Sequence, residues 1–257
     1  MSRPPAATPK TVRGGRTAHA RMARMESWEH LVTEHTVLSV IVGSRAFGLA
    51  TEASDTDRRG IFVTPTSAFW RLEKPPRHLA GPLPEQFSWE VERICELALA
   101  GNPSALEVLH SPLVEHSTPV GDELRALAPA FLSRRIHRTF VRHADSQFAR
   151  AEARRARGEQ PKGKHLLHLL RLLACCAGLL ETGRLRLDVG EERAALLAVG
   201  RGEIDWDEIG VRRDRLTRRA DAALADSPLP AEPDTARVEE WLVSVRRRTL
   251  DAERVSP

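Results

Sequence analysis

The stretch from Val37 to Val63, VLSVIVGSRAFGLATEASDTDRRGIFV, constrains this chain more than any other part of the sequence. It opens on the run VLSVIV, whose apolar and β-branched residues are typical of a buried strand. Gly43 and Ser44 follow directly, and a glycine there lets the backbone turn sharply and direct its N–H groups at an anion. A second strand is predicted at GIFV, residues 60–63. The stretch therefore predicts two strands joined by an anion-binding turn and a polar loop.

Two aspartates precede the second predicted strand. Asp55 and Asp57 are separated by one residue, so an extended backbone would place both carboxylates on one face. Carboxylates held close together repel each other unless a cation lies between them, and Mg²⁺ prefers such oxygen ligands together with phosphate oxygens. The spacing predicts a metal-binding pair beside the phosphate-binding turn. The alternative is that both residues are ordinary acids of a surface turn.

These residues carry a resemblance to a known family. Gly43-Ser44, followed after ten residues by Asp55-x-Asp57, resembles the signature of the DNA polymerase β nucleotidyltransferase superfamily. The string GSRAFGLATEASDTDRRG is similar to the superfamily's uncharacterised bacterial branch of predicted nucleotidyltransferases. The resemblance extends over residues 35–250 through two later blocks, which are Gly101-Asn102-Pro103 with Leu106-Glu107, and Lys164, His168 and Arg171 in KHLLHLLRLL.

The resemblance implies a metal-dependent nucleotidyltransferase. Such an enzyme moves a nucleoside monophosphate from a nucleoside triphosphate (NTP) to a hydroxyl or phosphate acceptor and releases pyrophosphate. It implies two Mg²⁺ or Mn²⁺ ions held by Asp55, Asp57 and a third acid at a later strand. Counting back from the GNP block makes Glu85 the predicted third acid. Glu90 and Glu92 remain competitors, and the absence of a third acid also remains open.

The predicted phosphate-binding residues lie around the same stretch. Gly43 and Ser44 are expected to hold the β- and γ-phosphates through a backbone N–H and a hydroxyl, unless they form a plain turn. Arg45 adjoins them and either pairs with a phosphate or is solvated. Arg59 suits a phosphate and a buried carboxylate equally well, because its guanidinium binds either in a bidentate manner.

A second group of candidates lies far downstream. Lys164, His168 and Arg171 are spaced i, i+4 and i+7, so they share one face of a leucine-rich helix. That face would suit a nucleotide, with the cations on phosphate and His168 on the base or acceptor; the alternative is a solvated stripe. The basic run at residues 134–138, with Arg142-His143, would suit an acceptor and is otherwise a solvated helix surface.

The predicted fold class is α+β. We expect a small mixed sheet with flanking helices to form the nucleotidyltransferase core, and an all-helical half to follow it. The predicted boundaries give a disordered basic tail at residues 1–25, the core at 26–112 and a helical domain at 113–257. The tail is assigned because it carries six Arg or Lys residues, no acid and almost no apolar periodicity.

The amino-acid composition limits the class of protein to which this chain can belong. The chain has 257 residues and three cysteines, which lie in apolar helical patterns without metal-site spacing and are expected to be buried thiols of a cytoplasmic protein. His168 and Arg171 interrupt the longest apolar run, so no segment is predicted to cross a membrane. Heavy Ala and Arg usage suggests a GC-rich bacterial genome. The sequence pI of about 9.4 is therefore in part a codon effect.

Three functions are weighed against one another. The first is the nucleotidyltransferase, whose acceptor would be an RNA 3′ end, a protein side chain or a small molecule. The second is a catalytically weak nucleotide- or RNA-binding protein on the same fold, which the uncertain third acid and the basic tail favour. The third is a toxin–antitoxin component, by analogy with small nucleotidyltransferases. The sequence does not decide the acceptor, the NTP or the oligomeric state.

Overall fold

The structure, a computed structural model, describes residues 28–83 and 85–255. The predicted tail at residues 1–25 lies outside this range. The strands are β1 (Thr36–Val42), β2 (Asp57–Phe62), β3 (His78–Ala80), β4 (Gln86–Glu90) and β5 (Val114–Ser117). The helices are α1 (His30–Glu34), α2 (Val91–Leu99), α3 (Pro103–His110), α4 (Pro119–Leu127), α5 (Arg135–Ala156), α6 (Gly163–Thr182), α7 (Arg193–Arg201), α8 (Trp206–Ala225) and α9 (Thr235–Val255). Short 3₁₀ turns lie at Thr66–Trp70, Ala128–Phe131 and Gly190–Glu192.

The five strands form one mixed sheet in the order β3-β4-β2-β1-β5. Strand β1 runs antiparallel to both β2 and β5, whereas β2 and β4 are parallel and β3 is antiparallel to β4. Within the β1–β2 pair, Val42 lies opposite Asp57, so the end of β1 and the start of β2 meet at one edge. This sheet, followed by helices, confirms the predicted α+β class.

Helix boundaries follow local sequence signals. Asn102 is the N-cap of α3, where its side-chain oxygen accepts a hydrogen bond from the Ala105 N–H, and Pro103 fills the first helical position. Glu90 is the N-cap of α2 and accepts from the Glu92 N–H. Helix α6 ends at Thr182 and is capped by Gly183, whose φ of 69° is readily adopted by glycine alone.

The predicted boundary at residue 112 falls inside the segment that builds the sheet. Strand β5 comes after it and completes the sheet beside β1, because its backbone satisfies the free edge of that strand. The helical half also shares a core with the sheet, since Val238 and Val245 of α9 belong to the same apolar cluster as Leu38 of β1. The division into two domains stays a prediction.

Helix α6 bears on one expectation drawn from composition. By length and composition alone this helix, Gly163–Thr182, would be able to cross a membrane even though it contains His168 and Arg171, so the statement that no segment crosses one stays a prediction. The criterion is weak for a single helix, because the core helix of a soluble protein also meets it. Here 56% of the apolar window is buried inside the protein. The helix packs against α5, α7 and α8.

Candidate active site

A cavity of about 530 Å³ lies between the sheet edge and helix α6. Its size falls in the range usual for small-molecule sites. Both halves of the chain line it. The sheet side contributes Val42, Gly43, Ser44, Phe47, Leu49, Thr51, Ala53, Ser54, Asp55, Asp57 and Arg59, and the helical side contributes Ser104, Glu107, Val108, Lys164, Leu167, His168, Arg171 and Gly200.

The turn after β1 lies at one wall of the cavity. The Phe47 N–H donates to the Gly43 carbonyl at 3.1 Å, and the Leu49 N–H donates to the Ser44 carbonyl at 2.8 Å, which closes residues 43–49 into a compact turn. Gly43 has a φ of 69°, and a Cβ added there would collide with the Asp57 carboxylate. Only glycine therefore allows the turn to approach Asp57 this closely.

The helical half holds this turn in place. Arg193 of α7 donates from Nε to the Gly48 carbonyl at 2.8 Å and from Nη2 to the Ala50 carbonyl at 3.1 Å. The Val189 N–H donates to the Phe47 carbonyl, and the Phe47 ring lies 3.6 Å below the Arg171 guanidinium carbon. These contacts join the turn to α6, so the two walls of the cavity are fixed relative to each other.

The two aspartates line the same cavity. Asp57 is the first residue of β2 and is half-buried, whereas Asp55 precedes the strand and is exposed. Arg59 lies two residues further along β2, on the Asp57 face, with Nη2 3.7 Å from Asp57 Oδ1. Its Nη1 also donates to the Glu85 carbonyl. Arg59 thus sits beside a carboxylate and at the cavity wall.

The predicted third acid lies at the margin of this arrangement. Glu85 occupies the turn before β4 at a φ of 57°, is exposed and does not line the cavity. Glu90 is buried and receives two hydrogen bonds from Arg246, so it is committed to the junction of β4, α2 and α9. Glu92 is exposed on α2 and also contacts Arg246. The assignment of Glu85 stays a prediction.

Within the described residues, no group of three or more His, Cys, Asp or Glu side chains is arranged to hold a metal ion. Asp55 and Asp57 nevertheless supply the hard oxygen ligands that Mg²⁺ and Mn²⁺ prefer, and they face a cavity that also contains cationic side chains suited to phosphate. This donor set fits one divalent cation. A second cation would need a further acid, such as Glu85, to approach.

The predicted face of α6 forms the opposite wall. Lys164, His168 and Arg171 all line the cavity, and Lys164 is exposed while Arg171 is almost fully buried. Arg171 Nη2 donates to Glu107 Oε1 of α3 at 2.6 Å. In the sequence, Glu107 was noted only as part of a block that resembles the family, and Phe47 was not noted. The one sequence signal for Glu107 was that it is a single acid within the apolar α3.

Arg45 does not line the cavity and donates to the Ser54 carbonyl instead.

Histidine 168 is neutral in this environment. Burial, reinforced by the charge of Arg171 and then by His143, His165 and Lys164, lowers its pKa to about 3. Arg171 Nη2 lies 3.3 Å from Nδ1, and because arginine can only donate, Nδ1 accepts. The remaining proton is then on Nε2. His168 therefore offers the cavity a hydrogen-bond donor and no positive charge.

The three cysteines are not candidates for nucleophiles. Burial raises the pKa of Cys95 and of Cys176 to about 12 and that of Cys175 to about 11, so each thiol stays protonated at neutral pH. All three are free thiols; Cys95 and Cys176 are buried as the sequence predicted, whereas Cys175 is half-buried.

Replacing Gly43 by alanine is expected to damage the site. The new Cβ would need both a left-handed backbone and the space that Asp57 occupies, so we expect a cost of about 1–3 kcal/mol in the free energy of unfolding and weaker nucleotide binding. Gly158→Ala is the matched control, because Gly158 has a φ of 76° with open space around it. Equal nucleotide affinity in the two variants, measured by calorimetry, would show that the collision is unimportant.

The lowered pKa of His168 predicts an acid-sensitive contribution to stability. The unfolded chain binds a proton near the ordinary value of 6.5 and the folded chain only near 3, so the contribution is complete above pH 6.5 and is lost as pH falls toward 3. In His168→Gln this loss is absent. Urea unfolding between pH 4 and 7 should show the difference between wild type and variant changing with pH, and parallel curves would contradict the burial of a neutral ring.

No curated protein was found to match the sequence. The family model RlaP, described as the RNA repair pathway DNA polymerase beta family, matches residues 15–244 and so spans the sheet, the cavity and most of the helices. The suspected membership of the DNA polymerase β nucleotidyltransferase superfamily is thereby confirmed. With its glycine turn, aspartate pair and α6 face meeting at one cavity, the chain belongs to the RNA repair pathway DNA polymerase beta family.

Proposed function

We propose that the cavity binds an NTP and a divalent cation, and that the protein transfers a nucleoside monophosphate to an acceptor with release of pyrophosphate. Membership of the family implies a nucleotidyltransferase-like function; the reaction and its metal dependence are our proposal. The observation that carries it is the meeting of a glycine turn, two aspartates and three α6 side chains at one cavity. The turn and the aspartates are distant in sequence from the α6 side chains, and they line one cavity only because the chain folds so that the sheet edge and α6 face each other.

The chain's own residues have distinct tasks in this proposal. The turn at Gly43-Ser44 holds the terminal phosphates through its N–H groups and the Ser44 hydroxyl, while Lys164 and Arg59 balance their charge. Neutral His168 donates a hydrogen bond from Nε2 to the nucleotide base or to the substrate that receives the nucleoside monophosphate. Each of these contacts positions the substrate and excludes water, which is how phosphoryl-transfer enzymes obtain much of their rate.

Asp55 and Asp57 would hold the cation. When bound, Mg²⁺ or Mn²⁺ neutralises phosphate charge and assists the attacking hydroxyl. Arg59, placed 3.7 Å from Asp57, balances the charge of that carboxylate and would be available to a phosphate if a cation were bound by the aspartates. Phe47 and Arg193 keep the turn closed against α6 and so preserve the spacing between the phosphate and acceptor sides.

We propose an RNA end as the acceptor. The description of the family refers to an RNA repair pathway, and the sequence alone allowed an RNA 3′ end, a protein side chain or a small molecule. The test is incubation of the full chain with radiolabelled NTP, Mg²⁺ and RNA oligonucleotides that end in a 3′-hydroxyl, a 3′-phosphate or a 5′-phosphate. Label transferred to one of these ends with stoichiometric pyrophosphate supports the proposal; no transfer to any RNA contradicts the RNA acceptor.

The third acid can be tested by a matched pair of variants. If Glu85 completes the metal site, Glu85→Gln lowers the rate of transfer about as much as loss of one aspartate. Glu90→Gln is expected to lower the free energy of unfolding instead, since it weakens the buried pair with Arg246, and to leave transfer close to wild type. Transfer rates that are close to wild type in both folded variants would defeat the assignment of Glu85.

A second candidate is a nucleotide-binding protein with weak catalysis. It is favoured by the finding that the described residues contain no group of three metal-binding side chains, and by the commitment of Glu107 to Arg171 and of Glu90 to Arg246. This candidate predicts NTP binding that depends on Asp57 but no pyrophosphate release with any acceptor. The transfer assay and a binding measurement together distinguish the two.

A further inference from the structure

We propose that one side of α5 binds the sugar–phosphate backbone of the RNA strand whose end enters the cavity. This surface, which we call the α5 strip, consists of Arg142, His143 and Arg150. The proposal rests on the proposed function, because it gives the path by which an RNA acceptor reaches the site. Three observations carry it: its position beside the cavity, the placing of charge on α5, and the lack of ion-pair partners.

The α5 strip begins at the cavity. The His143 ring centroid lies 6.1 Å from that of His168, which lines the cavity wall. Lys164, one helical turn before His168, lines the same wall and is exposed. Helices α5 and α6 pack along their lengths, so side chains on this flank of α5 continue the cationic wall outward.

Charge is unevenly placed around α5. At 100° per residue, the buried positions Ile136, Phe140, Ala144 and Phe148 mark the side that packs on the core. His143 and Arg150 lie on one flank of that side and Arg142 points away from it. The two acids of the helix, Asp145 and Glu152, fall toward the opposite flank. The flank that adjoins His168 therefore carries basic and uncharged side chains without an acid.

The arginines of the α5 strip are also available. The side chains of Arg142 and Arg150 are exposed and make neither a hydrogen bond nor an ion pair with any residue of the described chain. Other basic residues of the same helix are engaged: Arg135 pairs with Glu232 at 2.9 Å, His137 with Asp221 at 2.7 Å, and Arg154 with Glu159 at 2.9 Å. Within the basic run noted in the sequence, Arg135 and His137 are thus paired, whereas Arg138 and Arg142 are exposed and lack a side-chain partner in the described chain.

Unpaired arginines at this spacing fit a nucleic-acid strand. From Arg142 to Arg150 the helix rises by about 12 Å, so the two guanidinium groups are far enough apart to contact different phosphates of one strand. Binding a phosphate costs these residues no existing ion pair and releases counterions. The contacts would be to the backbone, so they would position the strand without reading its sequence.

The test measures RNA binding by the full chain without NTP. A fluorescent single-stranded RNA of about 12 nucleotides, within the range of known single-strand sites, is titrated at several salt concentrations. The variant Arg142→Gln/Arg150→Gln is compared with Arg215→Gln/Arg218→Gln of α8, which removes two exposed arginines that are likewise unpaired in the described chain. A third variant, Arg142→Lys/Arg150→Lys, keeps the charge.

We expect the α5 glutamine variant to bind the RNA about tenfold more weakly at low salt, with the slope of log affinity against log salt reduced by about 1.4, or 0.7 for each lost phosphate contact. The α8 control and the lysine variant should bind close to wild type. Equal RNA affinity and slope in the α5 and α8 glutamine variants would overturn the proposal. The proposal would also be overturned if polyglutamate, at equal charge concentration, displaced the RNA and its own binding depended on Arg142 and Arg150. That result would assign the α5 strip to an acidic protein.

Nucleotide binding separates this proposal from the proposed function. The α5 glutamine variant should bind NTP as wild type does, since neither arginine lines the cavity. Loss of RNA binding in that variant supports the α5 strip even if no nucleotidyl transfer is ever detected. Failure of wild type to bind NTP would count against the proposed function alone, whereas RNA binding that does not depend on Arg142 and Arg150 would count against the α5 strip alone.

Discussion

Asp55→Asn/Asp57→Asn is expected to abolish nucleotidyl transfer while leaving the fold intact. Both carboxylates face the cavity, and asparagine keeps their shape but removes the charge that a divalent cation needs. Because metal-ion assistance contributes several kcal/mol, we expect transfer to fall by about 10³-fold or more. The rate of label transfer from NTP is the measurement. Thermal unfolding should change little, since neither aspartate is fully buried.

The control for this variant is Asp226→Asn, which removes the charge of an exposed aspartate at the C-terminal end of α8. It should transfer at the wild-type rate. Transfer by the double asparagine variant at a rate close to that of the control would contradict the metal-binding role of the aspartate pair. A variant that is unfolded by circular dichroism would be replaced by the single variant Asp57→Asn.

Arg171→Met is expected to have the second large effect, on stability. The guanidinium is almost fully buried, donates to Glu107 Oε1 at 2.6 Å and lies over the Phe47 ring. Removing it leaves the Glu107 carboxylate in a poorly solvated position without its cation. Breaking a buried pair in this way costs about 3–5 kcal/mol. Urea unfolding gives the free energy of unfolding for comparison with wild type.

The double variant Glu107→Gln/Arg171→Met tests the physical reason. Since it removes the charge of Glu107 as well, most of the lost stability should return, and we expect the double variant within about 1–2 kcal/mol of wild type. Two Arg171 donors, Nε and Nη1, lack partners within the described residues, so the only other hydrogen bond that methionine removes is the one from Nη2 to His168 Nδ1. A double variant as unstable as Arg171→Met would show that the ion pair is not the origin of the loss.

Local patterns predicted much of the fold and the site. The apolar run of β1, the glycine after it and the aspartate spacing act over a few residues, and period and turn chemistry suffice to interpret them. The same holds for α6, where helical spacing placed Lys164, His168 and Arg171 on one face. The structure brings that face to the cavity with Gly43, Ser44, Asp55 and Asp57.

Contacts between distant segments were beyond such reasoning. The pairing of Glu107 with Arg171 joins residues 64 positions apart, and that of Glu90 with Arg246 joins residues 156 apart. The sequence around one residue of such a pair does not identify the other, because tertiary packing alone decides which charged side chains come into contact. Strand β5 was missed for the same reason: VEHS has little strand pattern of its own and is extended because β1 offers it a free edge.

The central claim is that this cavity binds an NTP together with a divalent cation held by Asp57. Calorimetric titration of each of the four NTPs, with and without Mg²⁺, tests it most directly on wild type and on Asp57→Asn. We predict that at least one NTP binds to wild type only when Mg²⁺ is present, and that Asp57→Asn binds it far more weakly. NTP binding that is unaffected by Mg²⁺ and by Asp57→Asn, or no binding of any NTP to wild type, would contradict the claim.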